Sequence, residues 1–130
     1  MTLKNASILL AHGSSDPHWL APFDQLLQRI RDSLTNPQAR VELAYMELAE
    51  PSLQSQVQRL AADGYRQIDV LPLFFAAGRH LRKDVPAMLE ELQQQLQQQG
   101  IEVSIHLHTP IGLEPEVANA ISQVVVRQLQ

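Results

Sequence analysis

Two hydrophobic periods alternate along this chain, and that alternation limits its folds more than any other feature. Four short apolar runs are strand candidates: Ser7 to Ala11, Val41 to Met46, Ile68 to Phe75 and Val103 to Leu107. Between and after them lie four stretches with a helical repeat. Leu20, Phe23, Leu27, Ile30 and Leu34 step by three and four, as do Leu53, Val57 and Leu60. Val85, Met88 or Leu89, Leu92 and Leu96 form the third stripe, and Val117, Ile121, Val124 or Val125, and Leu129 the fourth. Start signals agree with these stripes. Asp16-Pro17 opens the first helix, Pro51-Ser52 the second, and Asp84 with Pro86 the third, while Asn36-Pro37, Gly64 and Gly100 fall at helix ends. Strand followed by helix throughout specifies an α/β fold: a three-layer, doubly wound, four-stranded parallel sheet with helices on both faces. The third run is almost wholly apolar, as a strand covered on both sides requires.

At 130 residues the chain is expected to form a single domain, 1–130, and its 45% hydrophobic content suffices for a packed core. No apolar run approaches the ~20 residues that span a bilayer, and Ala6 to Ala11 is too short for a secretory signal, so no membrane association and a cytoplasmic location are expected. The absence of cysteine excludes disulfides, thiolate zinc sites and a cysteine nucleophile. A net charge of −4 without a basic stripe argues against nucleic acid as a partner. The glutamine-rich stretch 93–99 keeps Leu96 on the apolar stripe and reads as a solvated helix face.

In open parallel sheets, ligands bind at the C-terminal ends of the strands. Here the first strand end carries His12, Gly13, Ser14 and Ser15, the second Met46, Glu47 and Glu50, the third Phe75 through His80, and the fourth His106, His108 and Thr109. Imidazole and carboxylate suit iron, cobalt, nickel or zinc, and a neutral imidazole also accepts protons. His12 and His80 taken singly read as ordinary loop and helix-start residues; their equivalent strand-end positions make them a candidate pair. The basic cluster Arg79, Arg82 and Lys83 stands where cations oppose a helix dipole by ~0.3–1 kcal/mol each, which points to an anionic ligand nearby. Gly13-Ser14-Ser15 lacks the lysine and spacing of a phosphate loop, and Ser14, Asp16 and His18 crowd one turn too closely to form a hydrolase triad. His106 is expected to be a partly buried structural residue and His108 a candidate pocket residue. His18 is expected to be exposed, and Trp19 and Phe23 to lie in the core or at a subunit interface.

Three segments, Ile8 to Ser14, Met46 to Leu53 and Leu71 to Pro86, together with Thr109-Pro110-Ile111-Gly112, resemble the short, single-domain form of the CbiX-type sirohydrochlorin chelatases. The likeness runs over essentially the whole chain, and the third segment is the most specific. It implies a chelatase-like fold and ATP-independent insertion of a divalent metal into sirohydrochlorin, in cobalamin (Co2+), sirohaem (Fe2+) or nickel-tetrapyrrole (Ni2+) synthesis. The metal is a substrate, and no permanently bound cofactor is implied. By the resemblance, His12 and His80 hold the metal and, with Glu47, carry the catalysis; Glu50 is the alternative carboxylate. The loop Phe75 through His80, with Ala76, Ala77, Gly78 and Arg79, corresponds to the family's substrate-contacting loop, although Arg79 departs from the smaller or uncharged residue of many relatives; by their charge Arg79 and Arg82 are expected to meet the carboxylates of the tetrapyrrole, and Leu73, Phe74 and Phe75 to form an apolar wall. Short members pair two chains, so a homodimer is implied. A non-catalytic tetrapyrrole or metal carrier would use the same groups and is the alternative reading.

Overall fold

The computed structural model describes residues 4–130. Four strands, β1 (Asn5–Ala11), β2 (Arg40–Tyr45), β3 (Gln67–Pro72) and β4 (Ser104–Leu107), form one parallel sheet in the order β2-β1-β3-β4. The helices are α1 (Pro17–Ser33), α2 (Leu53–Ala62), α3 (Val85–Gln98) and α4 (Pro115–Leu129). The expected α/β order is therefore present.

Alternate residues of β1, β2 and β3 feed two cores. On one face Ala6, Ile8 and Leu10 of β1 and Ile68 and Val70 of β3 are buried beneath α2 (Val57, Leu60) and α3 (Leu89, Leu92, Leu96). On the other, Leu9 and Ala11 of β1 and Val41, Leu43 and Tyr45 of β2 pack beneath Leu20, Phe23, Leu27 and Ile30 of α1. The period-2 alternation of the strands thus meets the 3.6 period of helices on both sides. Asp16 caps α1 by accepting the His18 N–H at 2.9 Å, and Ser52 caps α2 by accepting the Ser55 N–H at 3.1 Å. At the opposite end of the sheet, Arg40 bridges Glu42 (2.8 Å) and Asp63 (2.7 Å), and these two carboxylates, Glu42 first, raise the guanidinium's pKa further.

Register brings the strand ends level. Ala11 pairs with Tyr45, and Leu10 pairs with both Ala44 and Pro72. The residues that follow, His12, Met46 and Leu73, therefore leave the sheet along one edge. The third strand stops at Pro72, three residues before the expected Phe75. Pro72 has no N–H for a further rung. Leu73 and Phe74 are apolar because they pack to opposite faces of the sheet, Leu73 with the α1 core and Phe74 with the α2–α3 core.

The third helix also begins differently. Winding starts at His80, in a π-helical turn (His80–Asp84) closed by the Val85 N–H to the His80 carbonyl. Pro86 has no N–H for the Arg82 carbonyl, and its ring crowds that carbonyl; a widened turn accommodates both. α4 is the outlier: none of its residues is buried, and its packing neighbour is the 3-10 turn Ile111–Leu113 just before it.

Candidate active site

The edge where β1, β2 and β3 end holds a cavity of about 440 Å³ lined by His12, Met46, Glu47, Phe74, Ala76, Gly78, Arg79, His80 and Leu81. Three backbone hydrogen bonds continue the sheet register into its walls. Met46 N–H donates to the Ala11 carbonyl (2.9 Å), Glu47 N–H to the His12 carbonyl (3.1 Å), and Leu73 N–H to the Leu10 carbonyl (2.8 Å). His12 and Glu47 are thus held side by side by backbone. Gly13 makes that approach possible. It has φ +97°, and a β-carbon there would overlap the Glu47 carbonyl oxygen. Leu48 follows at φ +63°, a left-handed conformation rare for leucine, and turns the chain just after Glu47.

The His12 ring lies against Phe74, with centroids 4.2 Å apart and planes tilted by 33°. An aromatic wall on one side restricts the imidazole's rotation without occupying its nitrogens. His80, on the π-helical turn, has Nδ1 2.6 Å from Asp84 Oδ2. An ionised carboxylate only accepts, so in the neutral imidazole this contact selects the tautomer with the proton on Nδ1 and the lone pair on Nε2. A carboxylate behind a metal-binding imidazole orients the ring and raises its basicity. Asp84 was legible in sequence only as a helix-start residue; the i, i+4 spacing from His80 was the signal for its second role.

Of the residues expected to act, the structure gathers His12, Glu47, Ala76, Gly78, Arg79 and His80 around one cavity. It places three elsewhere. Phe75 is 67% exposed, with its backbone against Gly112; Ala77 packs on the α2–α3 core; and Arg82 lies exposed on the π-helical turn outside the cavity wall. Phe74 supplies the apolar wall. Glu50 is not among the lining residues, which favours Glu47 as the carboxylate. His106 is exposed rather than partly buried, because no helix covers β4 on that face. His106 and His108 stack edge-to-face at 4.6 Å, and His108 Nε2 lies 3.4 Å from Asp69. Neither histidine reaches the cavity that holds His12. A second hollow beside His80 is lined by Tyr45, Met46, Gln54 and Met88, and burial raises the Tyr45 phenol's pKa, keeping it neutral. Among the described residues no cluster of three or more histidine and carboxylate side chains forms a closed metal cage.

If Asp84 orients His80, Asp84→Ala lowers apparent affinity for Co2+ about 10–100-fold. Asp84→Asn, which retains an acceptor oxygen, recovers most of it. Metal titration of the three proteins checks this, and equal affinities would remove Asp84 from the site.

A parallel α/β sheet whose strand ends present two imidazoles, a carboxylate and an arginine to one cavity defines a protein built to handle a metal together with an anionic ligand. The family model described as CbiX matches residues 6–128, and the chain belongs to that family. A sirohydrochlorin cobaltochelatase of Sulfurisphaera tokodaii is 30% identical over 126 residues, covering 95% of this chain and 92% of the relative. A crystal structure of a putative cobalamin biosynthesis CbiX protein from Marinobacter aquaeolei is 47% identical with a TM-score of 0.78, covering 96% of this chain and 97% of that one. The sirohydrochlorin chelatase SirB of Bacillus subtilis, solved with cobalt, shares the fold at a TM-score of 0.77 and 22% identity; the match covers 93% of this chain and 49% of SirB.

Proposed function

We propose that this protein is a sirohydrochlorin chelatase that inserts a divalent metal, Co2+ or Fe2+, into the tetrapyrrole without ATP, serving cobalamin or sirohaem biosynthesis. The observation that carries the reading is the convergence of His12, His80 and Glu47 on one cavity at the C-terminal edge of the sheet.

Insertion exchanges two pyrrole N–H protons for one M2+ ion. His80 Nε2 and the His12 imidazole face the metal from the protein side, leaving coordination positions for the ring nitrogens. His12, free of an acidic partner, takes the two pyrrole protons one after the other as each nitrogen turns to the metal. Glu47, held beside it by backbone, passes each proton to water before the next is taken. Phe74 and Met46 give the macrocycle an apolar surface. Arg79 meets a peripheral carboxylate with a charge-assisted hydrogen bond. The metal is substrate, held only until the ring encloses it.

The chain acts as one chelatase-like domain in the cytoplasm and works as a homodimer. No described helix is long and apolar enough to cross a membrane. Anaerobic mixing with sirohydrochlorin and Co2+ or Fe2+, followed by the absorption change of metallation, tests the function. Many turnovers per subunit are expected. Stoichiometric binding without turnover would make the protein a carrier.

Arg79→Ala is expected to raise the KM for sirohydrochlorin about 10-fold with little change in kcat, the size of one charge-assisted hydrogen bond. Arg82→Ala, outside the cavity wall, is expected to have a smaller effect. Steady-state kinetics distinguishes these outcomes, and an unchanged KM for both would make the whole cluster a solvated face.

A further inference from the structure

The hollow beside the active cavity has a volume of about 330 Å³, and His80 and Met46 line both spaces. Its other walls include Met88, Asp84 and Gln54. The chain has three methionines, and the two beyond Met1 both line this one hollow. Filling the core does not account for Met88. The buried stripe of α3 is Val85, Leu89, Leu92 and Leu96, and Met88, one residue before Leu89, lies about 100° round the helix from it. Met88 follows Asp84 by four residues, as Asp84 follows His80, so the three run in a row along one helix face. Met46 stands across from them at the end of β2, where its N–H bonds the Ala11 carbonyl (2.9 Å). Both methionines are half-buried against the α2–α3 core and still border open space.

Thioethers are soft, uncharged donors. They suit Cu(I) and bind hard divalent ions poorly, whereas imidazole accepts both kinds. The hollow offers two thioethers and the His80 imidazole, a donor set for a soft monovalent ion. The active cavity offers two imidazoles and the Glu47 carboxylate, a set for Co2+ or Fe2+. Charge agrees with this division. The three donors of the hollow are neutral, and Asp84, bonded to His80 Nδ1 at 2.6 Å, places one negative charge behind them. That balances one positive charge on the ion.

We propose that this hollow is a soft-metal site in which Met46, Met88 and His80 Nε2 bind Cu(I), and that copper held there withdraws His80 from metal insertion. A neutral imidazole has one lone pair, so His80 serves a metal in one space at a time. Cu(I) therefore competes with Co2+ or Fe2+ for His80. It raises the KM for the substrate metal and leaves His12 and Glu47 in place for proton transfer. Only metal–ligand bonds form, and the copper stays Cu(I) throughout. The copper site rests on these residues alone; its inhibitory effect rests on the chelatase reading above.

Two measurements test it. Anaerobic titration of the intact protein with Cu(I), against a chromogenic Cu(I) chelator, is expected to show one tightly held ion per chain. Met88→Leu conserves side-chain volume; it is expected to weaken Cu(I) binding at least ~10-fold and to leave copper-free Co2+ insertion unchanged. Met46→Leu is expected to weaken Cu(I) binding likewise, and His12→Ala, outside the hollow, to leave it intact. In steady-state kinetics Cu(I) is expected to raise the wild-type KM for Co2+ and to have little effect on Met88→Leu. Equal Cu(I) affinity in wild type and Met88→Leu would overturn the site. Loss of binding in His12→Ala but not in Met88→Leu would also overturn it and would put copper on the catalytic pair. Copper binding with an unchanged KM for Co2+ would overturn the competition for His80. Should the protein prove a carrier without turnover, the titration alone still decides the copper site.

Discussion

His12→Ala is expected to slow metal insertion by ~10²–10⁴-fold, the range for removing a positioned proton acceptor. His12 is the one imidazole in the cavity whose ring is held by an aromatic wall rather than by a carboxylate, and its carbonyl anchors Glu47. The carbonyl bond survives in the backbone of the variant, so the loss is expected in kcat rather than in stability: His12 is exposed and fills no core space. His80→Ala is expected to act mainly through KM for the metal, since His80 presents one lone pair backed by Asp84. The pair of measurements, metal-dependent KM and kcat for each variant under anaerobic conditions, separates the two roles. Normal turnover in both variants would remove these histidines from the mechanism.

Gly13→Ala is expected to be the most damaging single-methyl change in the molecule. It forces an L-residue to φ +97° and drives a β-carbon into the Glu47 carbonyl. The backbone conformation alone costs ~1–2 kcal/mol, and relieving the overlap by moving the loop adds ~1–3 kcal/mol. Gly64→Ala provides the control. Gly64 has nearly the same φ, +95°, with open space around it, so only the conformational cost applies. The difference between the two variants in urea midpoint, at equal m-value, therefore isolates the overlap. Because the displaced segment carries Glu47, Gly13→Ala is also expected to lose most of its chelatase rate even at temperatures where it stays folded. Equal destabilisation in both variants would mean that the β1 and β2 ends are not held together as described.

Much of the site could be read from the sequence because strand ends in a parallel sheet are nearly a one-dimensional property. Once the apolar runs around Ile8 and Val70 were strands, His12 and the segment before His80 had to emerge at one edge. The end of β3 is not legible in the sequence because burial on two faces looks the same whether the backbone is in a strand or just past it: Leu73 and Phe74 are apolar for packing alone. Which of Glu47 and Glu50 faces the cavity depends on the positive φ at Leu48, a turn geometry that leucine does not signal. Asp84 was hidden for a similar reason. Its contact with His80 needs helical winding to begin five residues earlier than Asp84 and Pro86 announce.

Local periodicity by itself determined the order of elements, the parallel sheet and the edge at which chemistry is possible, because each depends on residues close in sequence. Tertiary structure alone decided the rest. Register brought Glu47 beside His12, the π-helical turn paired His80 with Asp84, and the Gly112 N–H bond to the Phe74 carbonyl tied the turn before α4 to the cavity wall. The fourth apolar stripe shows the limit most clearly. Its periodicity says that Ile121 and Val124 must be covered, but periodicity records only that a face is apolar; what covers it depends on contacts between residues far apart in the chain, or in another copy of it.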